Sequence, residues 1–267
     1  MNRFVGIVLF LSVTLLLSCN YQGSSSQKKT ITIAGSTSVM PFTEKLSEHF
    51  MVDHPAIVID VQGGGSTAGI QACMNNTVNV GMSSRQLKQG EMSLHEITIC
   101  FDGISIVVHS TNPINALTLK QAKDIFSGRI KNWSELGWIH RKIDAVTREE
   151  GSGTRGSFEE LVMNDEEIDD GIMVQDSNGS VKEVVATDPY AIGYISLGLV
   201  DNRVRALLID GVVPTVKNIK AKQYKIVRPF LFLTKDIPKD NVKIFIDFVL
   251  SKDGQNILQK EGLIGIQ

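Results

Sequence analysis

Three short stretches carry the residue types that could do chemistry: "GSTSV" from Gly35, "GGGSTAG" from Gly63 and "EEGSGTRG" from Glu149. Each offers backbone N–H groups and hydroxyls where a helix pattern begins, and there the helix dipole favours negative charge. Together they would form a neutral, donor-rich cage for one small oxyanion. Taken singly, such turns are common helix caps; three of one kind shift the reading toward a site. Arg148, four residues before Ser152, would add a fixed positive charge with a planar fork of donors.

Other chemistries fit parts of the same residues. Gly151, Gly153 and Gly156 complete a G-x-G-x-x-G, and Asp176 follows Gly156 at the distance of an acidic ribose partner. That fingerprint wants its first glycine directly after a hydrophobic strand, whereas Arg148, Glu149 and Glu150 intervene here. A hydrolase would use Ser152 or Ser66 as nucleophile, but neither sits in G-x-S-x-G, and His49, His54, His95, His109 and His140 are scattered singly. Cys73 and Cys100 form no C-x-x-C, so a thiolate metal site has no framework; a disulfide between them and two buried thiols both remain open. No cofactor is called for.

The elements that must position these residues repeat. A short alternating strand, a Gly/Ser/Thr turn and a helix follow one another at "KKTITIAGSTSV", where Phe42, Leu46 and Phe50 recur at spacing four. The order recurs at Ile57 to Val61 with helical residues from Ala68, and again at "KIDAVTREEGSGTRGSFEELVM". Strands alternating with helices predict α/β layers with largely parallel sheets and a ligand site outside the carboxyl ends of the strands. A long apolar run from Ile97 to His109 ends before Pro113, and a matching one, "YKIVRPFLFLTKD", precedes a helix with Phe245, Phe248 and Val249 on one face. The simplest topology leaves one lobe, builds a second and returns: residues 30–110 plus 228–267 form lobe one, residues 111–227 form lobe two, and the three turns line the cleft.

Residues 1–18 read as a secretory signal, with Arg3 ahead of an apolar run to Leu17 that is too short for a stable span. Leu16-Leu17-Ser18-Cys19 resembles the bacterial lipobox, in which the cysteine is acylated and opens the mature chain, and residues 19–29 read as a polar tether. The chain is therefore expected to be exported and lipid-anchored through Cys19 to the cell membrane, facing the periplasm or the cell exterior. A formal charge of −2 with scattered basic residues argues against nucleic acid. An exported location also weighs against a dinucleotide cofactor.

At this point the segments "AGSTSVMPF", "GGGSTAG", "VGMSSRQL" and "REEGSGTR", in this order, resemble the ligand-binding segments of the phosphate-binding proteins of phosphate-specific ABC transporters. The likeness extends to "IGYISLG" and "LSKDGQNIL". It implies a two-lobed, Venus-flytrap α/β fold, each lobe a mixed, mostly parallel sheet flanked by helices, with two linking segments. It also implies a monomer that is no enzyme, holds phosphate between its lobes and delivers it to permease subunits. Carried over position by position, Thr37, Ser38 and Ser66 would donate from lobe one, and Arg148, Ser152, Gly153 and Thr154 from lobe two. Ser84 stands where the family often has a carboxylate that accepts the proton of phosphate, Arg85 beside it would supply a second charge or a salt bridge at the cleft edge, and Glu150 would orient Arg148. The same cage could hold sulfate, molybdate or tungstate.

Overall fold

A computed structural model describes residues 29–164 and 166–266. The expected signal segment, Cys19 and all of the tether except Lys29 lie outside these residues. In the first part of the chain β1 (Lys29–Gly35), α1 (Met40–Asp53), β2 (Ile57–Gly63), α2 (Ser66–Met74) and β3 (Val80–Ser83) lead to the long strand β4 (His95–His109). The middle comprises β5 (Ala116–Leu117), α3 (Leu119–Phe126), β6 (Asp144–Arg148), α4 (Gly153–Phe158), β7 (Met173–Gln175), α5 (Asn178–Thr187), β8 (Ala191–Ser196), β9 (Val204–Ala206), β10 (Leu208–Ile209) and α6 (Val216–Lys220). The chain closes with β11 (Val227–Thr234), α7 (Asp240–Leu250) and α8 (Lys252–Lys260).

One strand path, β2-β1-β3-β11-β4-β8-β6-β7, runs through the molecule, with β9 beside β4 and a separate β10-β5 pair. β1 pairs in parallel with β2 and β3, and β6 in parallel with β7 and β8. The two halves meet along β4. As far as Gly103 it pairs with β11, and from Ile104 onward with β8.

Period-two alternation explains why each half is covered on both faces. On β11, Phe230 and Phe232 join the core with Phe42, Leu46, Phe50 and Phe245, while Leu231 and Leu233 face Ile70 and Cys73 of α2. On β4, Ile104, Ile106 and Val108 face Phe126, Phe158 and Tyr194, while Val107 faces Val181 and Val185 of α5. The core therefore changes along β4 between Cys100 and Ile104, and again along the returning chain between Ile226 and Phe230. The boundary expected after residue 110 marks the end of β4, whereas the exchange of partners falls inside it, because a strand long enough to serve two sheets needs no break in its apolar run.

Cys73 and Cys100 are free, buried thiols on opposite faces of the first half's sheet. Cys73 donates to the Leu233 carbonyl at 3.3 Å, and burial raises the pKa of both. Among the described residues no helix is long and apolar enough to cross a membrane, and no group of metal-ligating side chains is present.

Candidate anion-binding site

The Gly/Ser/Thr turns lie at the carboxyl ends of β1, β2 and β6. Register brings the first two together: β1 and β2 are parallel to their last residues, Gly35 opposite Gly63, and Gly65 N–H donates to the Gly35 carbonyl at 3.0 Å. Gly65 has φ +88°, and a Cβ there would stand 3.1 Å from the Gly151 carbonyl, so glycine lets the second turn meet the third. Thr67 N–H donates to that same carbonyl at 3.1 Å.

Hydroxyls from both halves converge. Ser38 Oγ and Thr154 Oγ1 are 2.7 Å apart, Ser36 Oγ donates to Ser84 Oγ at 2.9 Å, and Ser66 Oγ lies 3.4 Å from Ser84 Oγ while accepting from Ser84 N–H at 3.0 Å. Ser152 caps α4, its oxygen accepting from Thr154 N–H and Arg155 N–H, so the hydroxyl hydrogen is what remains for a ligand. A Cβ on Gly153 would come within 2.2 Å of Ser66 Oγ and 2.6 Å of Ser84 Oγ, so only a bare Cα lets α4 close onto the second turn. These side chains are buried. Tyr194, whose hydroxyl lies 2.6 Å from Thr147 Oγ1 beneath Arg148, is pushed up to about 12 by burial and stays neutral.

Arg148 ends β6 with 1% exposure. Its Nε and Nη2 donate to Glu149 at 2.9 and 3.0 Å and to the Gln175 and Asp176 carbonyls at 3.2 and 3.0 Å, and Nη2 also reaches Thr37 Oγ1 at 3.1 Å across the cleft. Nη1 is buried and has no hydrogen-bond partner in the described chain. A buried guanidinium nitrogen left unpaired is costly unless something outside the chain meets it.

Thr37, Ser38, Ser66, Ser84, Arg148, Ser152, Gly153 and Thr154 are thus gathered at one place, Arg85 takes the salt-bridge alternative of its two expected roles, and Glu150 differs from expectation. Arg85 is not turned into the hydroxyl cluster: Nη1 and Nη2 grip Glu91 at 2.7 and 2.9 Å, with further bonds to the Gln86 carbonyl and Thr67 Oγ1. Its role is at the rim, where Gly156 packs close to its Cδ. Glu150 is exposed and does not orient Arg148; its neighbour Glu149 does, because the turn directs the carboxylate that follows the strand back along the guanidinium. Asp176 contributes its carbonyl to Arg148 and its carboxylate to Ser180, an arrangement unlike a ribose partner. Sequence reasoning missed Ser36 and Asn178, whose Nδ2 donates to Ser38 Oγ at 2.7 Å. Both sit in Ser/Gly contexts that read as ordinary caps.

The Arg85 guanidinium holds the Glu91 carboxyl below its ordinary value of 4.5. A depressed folded-state value contributes stability above that ordinary value, and the contribution is lost as pH falls through the lowered one. Glu91→Gln is therefore expected to be less stable than wild type at neutral pH, with the gap in urea midpoint narrowing toward pH 3; a gap constant with pH would count against the ion pair.

A cavity of about 360 Å³ lies elsewhere, lined by Ile125, Ile143, Ile172, Lys131, Lys142 and Asp169 among others, and includes none of the gathered residues. It faces the opposite end of β6 from Arg148.

Known proteins share this architecture. The model of the PBP superfamily domain matches residues 20–253. The Bacillus subtilis phosphate-binding protein PstS is 33% identical over 251 residues, covering 92% of this chain and 83% of the relative, and the Borreliella burgdorferi protein of the same name is 29% identical over the full length of both. A crystal structure from Clostridium perfringens, described as a phosphate ABC transporter substrate-binding protein with bound phosphate, is 42% identical, covers 90% of this chain and 100% of its own, and superposes with a TM-score of 0.87. A Vibrio cholerae ABC-type phosphate transport receptor is 38% identical, with 88% and 99% coverage and a TM-score of 0.74. With matches of this extent, the chain belongs to the PBP superfamily, in the family of phosphate-binding substrate-binding proteins.

Proposed function

We propose that the gathered turns bind inorganic phosphate between the two lobes and that the loaded protein delivers it to the permease of an ABC-type importer. The observation that carries this reading is Arg148 Nη1, a buried donor unpaired among the described residues, beside hydroxyls from both lobes. Glu149 offsets the arginine charge, so a divalent anion would be held chiefly by oriented donors, a mode that helix starts and hydroxyls suit. The names of the relatives from Bacillus subtilis and Clostridium perfringens support phosphate as the ligand.

Thr37, Ser38, Ser66 and Ser84 would bind from one lobe and Arg148, Ser152, Gly153 and Thr154 from the other, with the lobes dividing where β4 and the chain before β11 change cores. Closure then buries the anion and creates the surface that a permease recognises. This is binding without covalent chemistry: the Ser152 oxygen already accepts two backbone N–H groups, which leaves it no lone pair for attack. Acylation of Cys19 would keep a monomer at the membrane outside the cytoplasm; incorporation of labelled palmitate, lost in Cys19→Ser, tests this.

Isothermal titration with phosphate, sulfate, molybdate and tungstate tests the ligand assignment. Tight binding of phosphate is expected, and binding of another oxyanion with none of phosphate would overturn it. Ser84 Oγ, which already accepts from Ser36, is the acceptor offered to the proton of phosphate, and a neutral acceptor repels sulfate less than a carboxylate does. Sulfate at millimolar concentration should therefore compete, and Ser84→Asp should weaken sulfate by several kcal/mol while sparing protonated phosphate. Absence of sulfate competition in the wild type would assign discrimination to another group.

A further inference from the structure

Asn178, the first residue of α5, belongs to none of the three turns, and its side chain is 1% exposed. Its Oδ1 accepts from Ser196 N–H at 3.1 Å, and its Nδ2 donates to Ser38 Oγ at 2.7 Å. A backbone N–H can only donate, so the amide oxygen must face Ser196 and the NH₂ must face Ser38; the opposite rotamer would oppose two donors. Ser38 Oγ is thereby made an acceptor on that side. It lies 2.7 Å from Thr154 Oγ1, so between them these two hydroxyls keep one hydrogen for a ligand.

The same carboxamide spans the cleft, since Ser38 precedes α1 in one lobe and Asn178 opens α5 in the other. Beyond it, the Ser196 hydroxyl donates to Asp102 Oδ1 at 3.0 Å, Arg228 Nη2 donates to Asp102 Oδ2 at 3.0 Å, and Arg228 Nη1 reaches the Ser84 carbonyl at 3.4 Å. A buried chain of contacts thus leaves the cluster at Ser38, passes the two strands that join the lobes, and returns to it at Ser84.

We propose that Asn178 is a positioning residue for anion binding: it sets the hydrogen-bond polarity of Ser38 and fastens the lobes together around the ligand. This rests on the reading of the cluster as a phosphate site. A contact made across the cleft forms only on closure, so its loss should appear in release and not in encounter.

Stopped-flow and calorimetric measurements with inorganic phosphate test it in the full chain. Asn178→Ala is expected to weaken binding about tenfold, the scale of one buried hydrogen bond, through faster dissociation at unchanged association. Asn178→Asp keeps the shape and the acceptor toward Ser196 but loses the donor, and should release phosphate at least as fast, which guards against a loss caused only by a cavity. The double variant Ser38→Ala/Asn178→Ala should bind no more weakly than Ser38→Ala alone, because Asn178 acts through Ser38. Unchanged dissociation in both single variants, or full additivity in the double, would overturn the inference while leaving the phosphate reading intact. A wild-type protein that binds no phosphate would instead overturn that reading, and the inference with it.

Discussion

Replacing Arg148 with alanine is expected to weaken phosphate binding by about 3–5 kcal/mol, on the order of a hundred- to several thousand-fold. The magnitude follows from burial and from what is left behind. Arg148 is 1% exposed, and its Nε and Nη2 are fixed by Glu149, two carbonyls and Thr37, which aims the unpaired Nη1 without further ordering when the anion arrives. Alanine removes that donor and also strips Glu149 of its partner, leaving a carboxylate beside the place where an anion must sit. Arg148→Lys keeps the charge but cannot hold Glu149 through two nitrogens while presenting a third, so an intermediate loss is expected. Thr154→Ala, which removes one hydroxyl of the cluster, should cost about 1 kcal/mol. Calorimetry resolves all three, with melting of the unliganded variants as a control for folding. Unchanged affinity in both alanine variants would remove the cage as the site.

How much of this was legible in the sequence depends on how local each signal is. The three turns could be read because strand, turn and helix are written within about twenty residues of one another; parallel pairing of β1 with β2 then joins the first two, and the packing of the two halves brings in the third. Glu149 and Glu150 were exchanged because adjacent residues in a turn point in different directions, and composition does not say which. The Arg85–Glu91 pair is separated by only six residues, yet the short helical turn at Gln89–Glu91 that folds the carboxylate back has no strong sequence signature. Asn178 meets Ser38 across 140 residues, a contact set by how the two halves of the chain pack and by no local pattern. The point where β4 changes partner is also absent from the apolar run, but a usable signal was present: Asp102 interrupts "TICFDGISIVV" and Arg228 interrupts "IVRPFLFL", opposite charges inside two stretches that carry no other charge. A charge that survives inside such a run needs a partner of the other sign.

That pair carries the second large expectation. Asp102 is 0% and Arg228 1% exposed, Arg228 Nε and Nη2 donate to Asp102 Oδ2 at 3.2 and 3.0 Å, and Ser196 Oγ satisfies Oδ1. Desolvation pushes the Asp102 carboxyl up while the adjacent guanidinium pulls it down, so each charge tolerates burial only because of the other. Asp102→Ala should therefore cost about 3–5 kcal/mol of folding stability, since a guanidinium cannot shed its proton and is left buried and unpaired. Arg228→Met should cost somewhat less, because a lone Asp102 can take up a proton and become neutral. The double replacement Asp102→Leu/Arg228→Met removes both charges and keeps an apolar volume between the two joining strands, so it should regain much of the loss. Urea denaturation of the three variants decides the matter: a double variant as unstable as the sum of the singles would mean that the strands depend on packing at these positions and not on the ion pair. If the double is stable but releases phosphate faster, the pair serves to transmit closure between the lobes, since the link from Ser196 through Asp102 and Arg228 to Ser84 would then be cut while the fold remained.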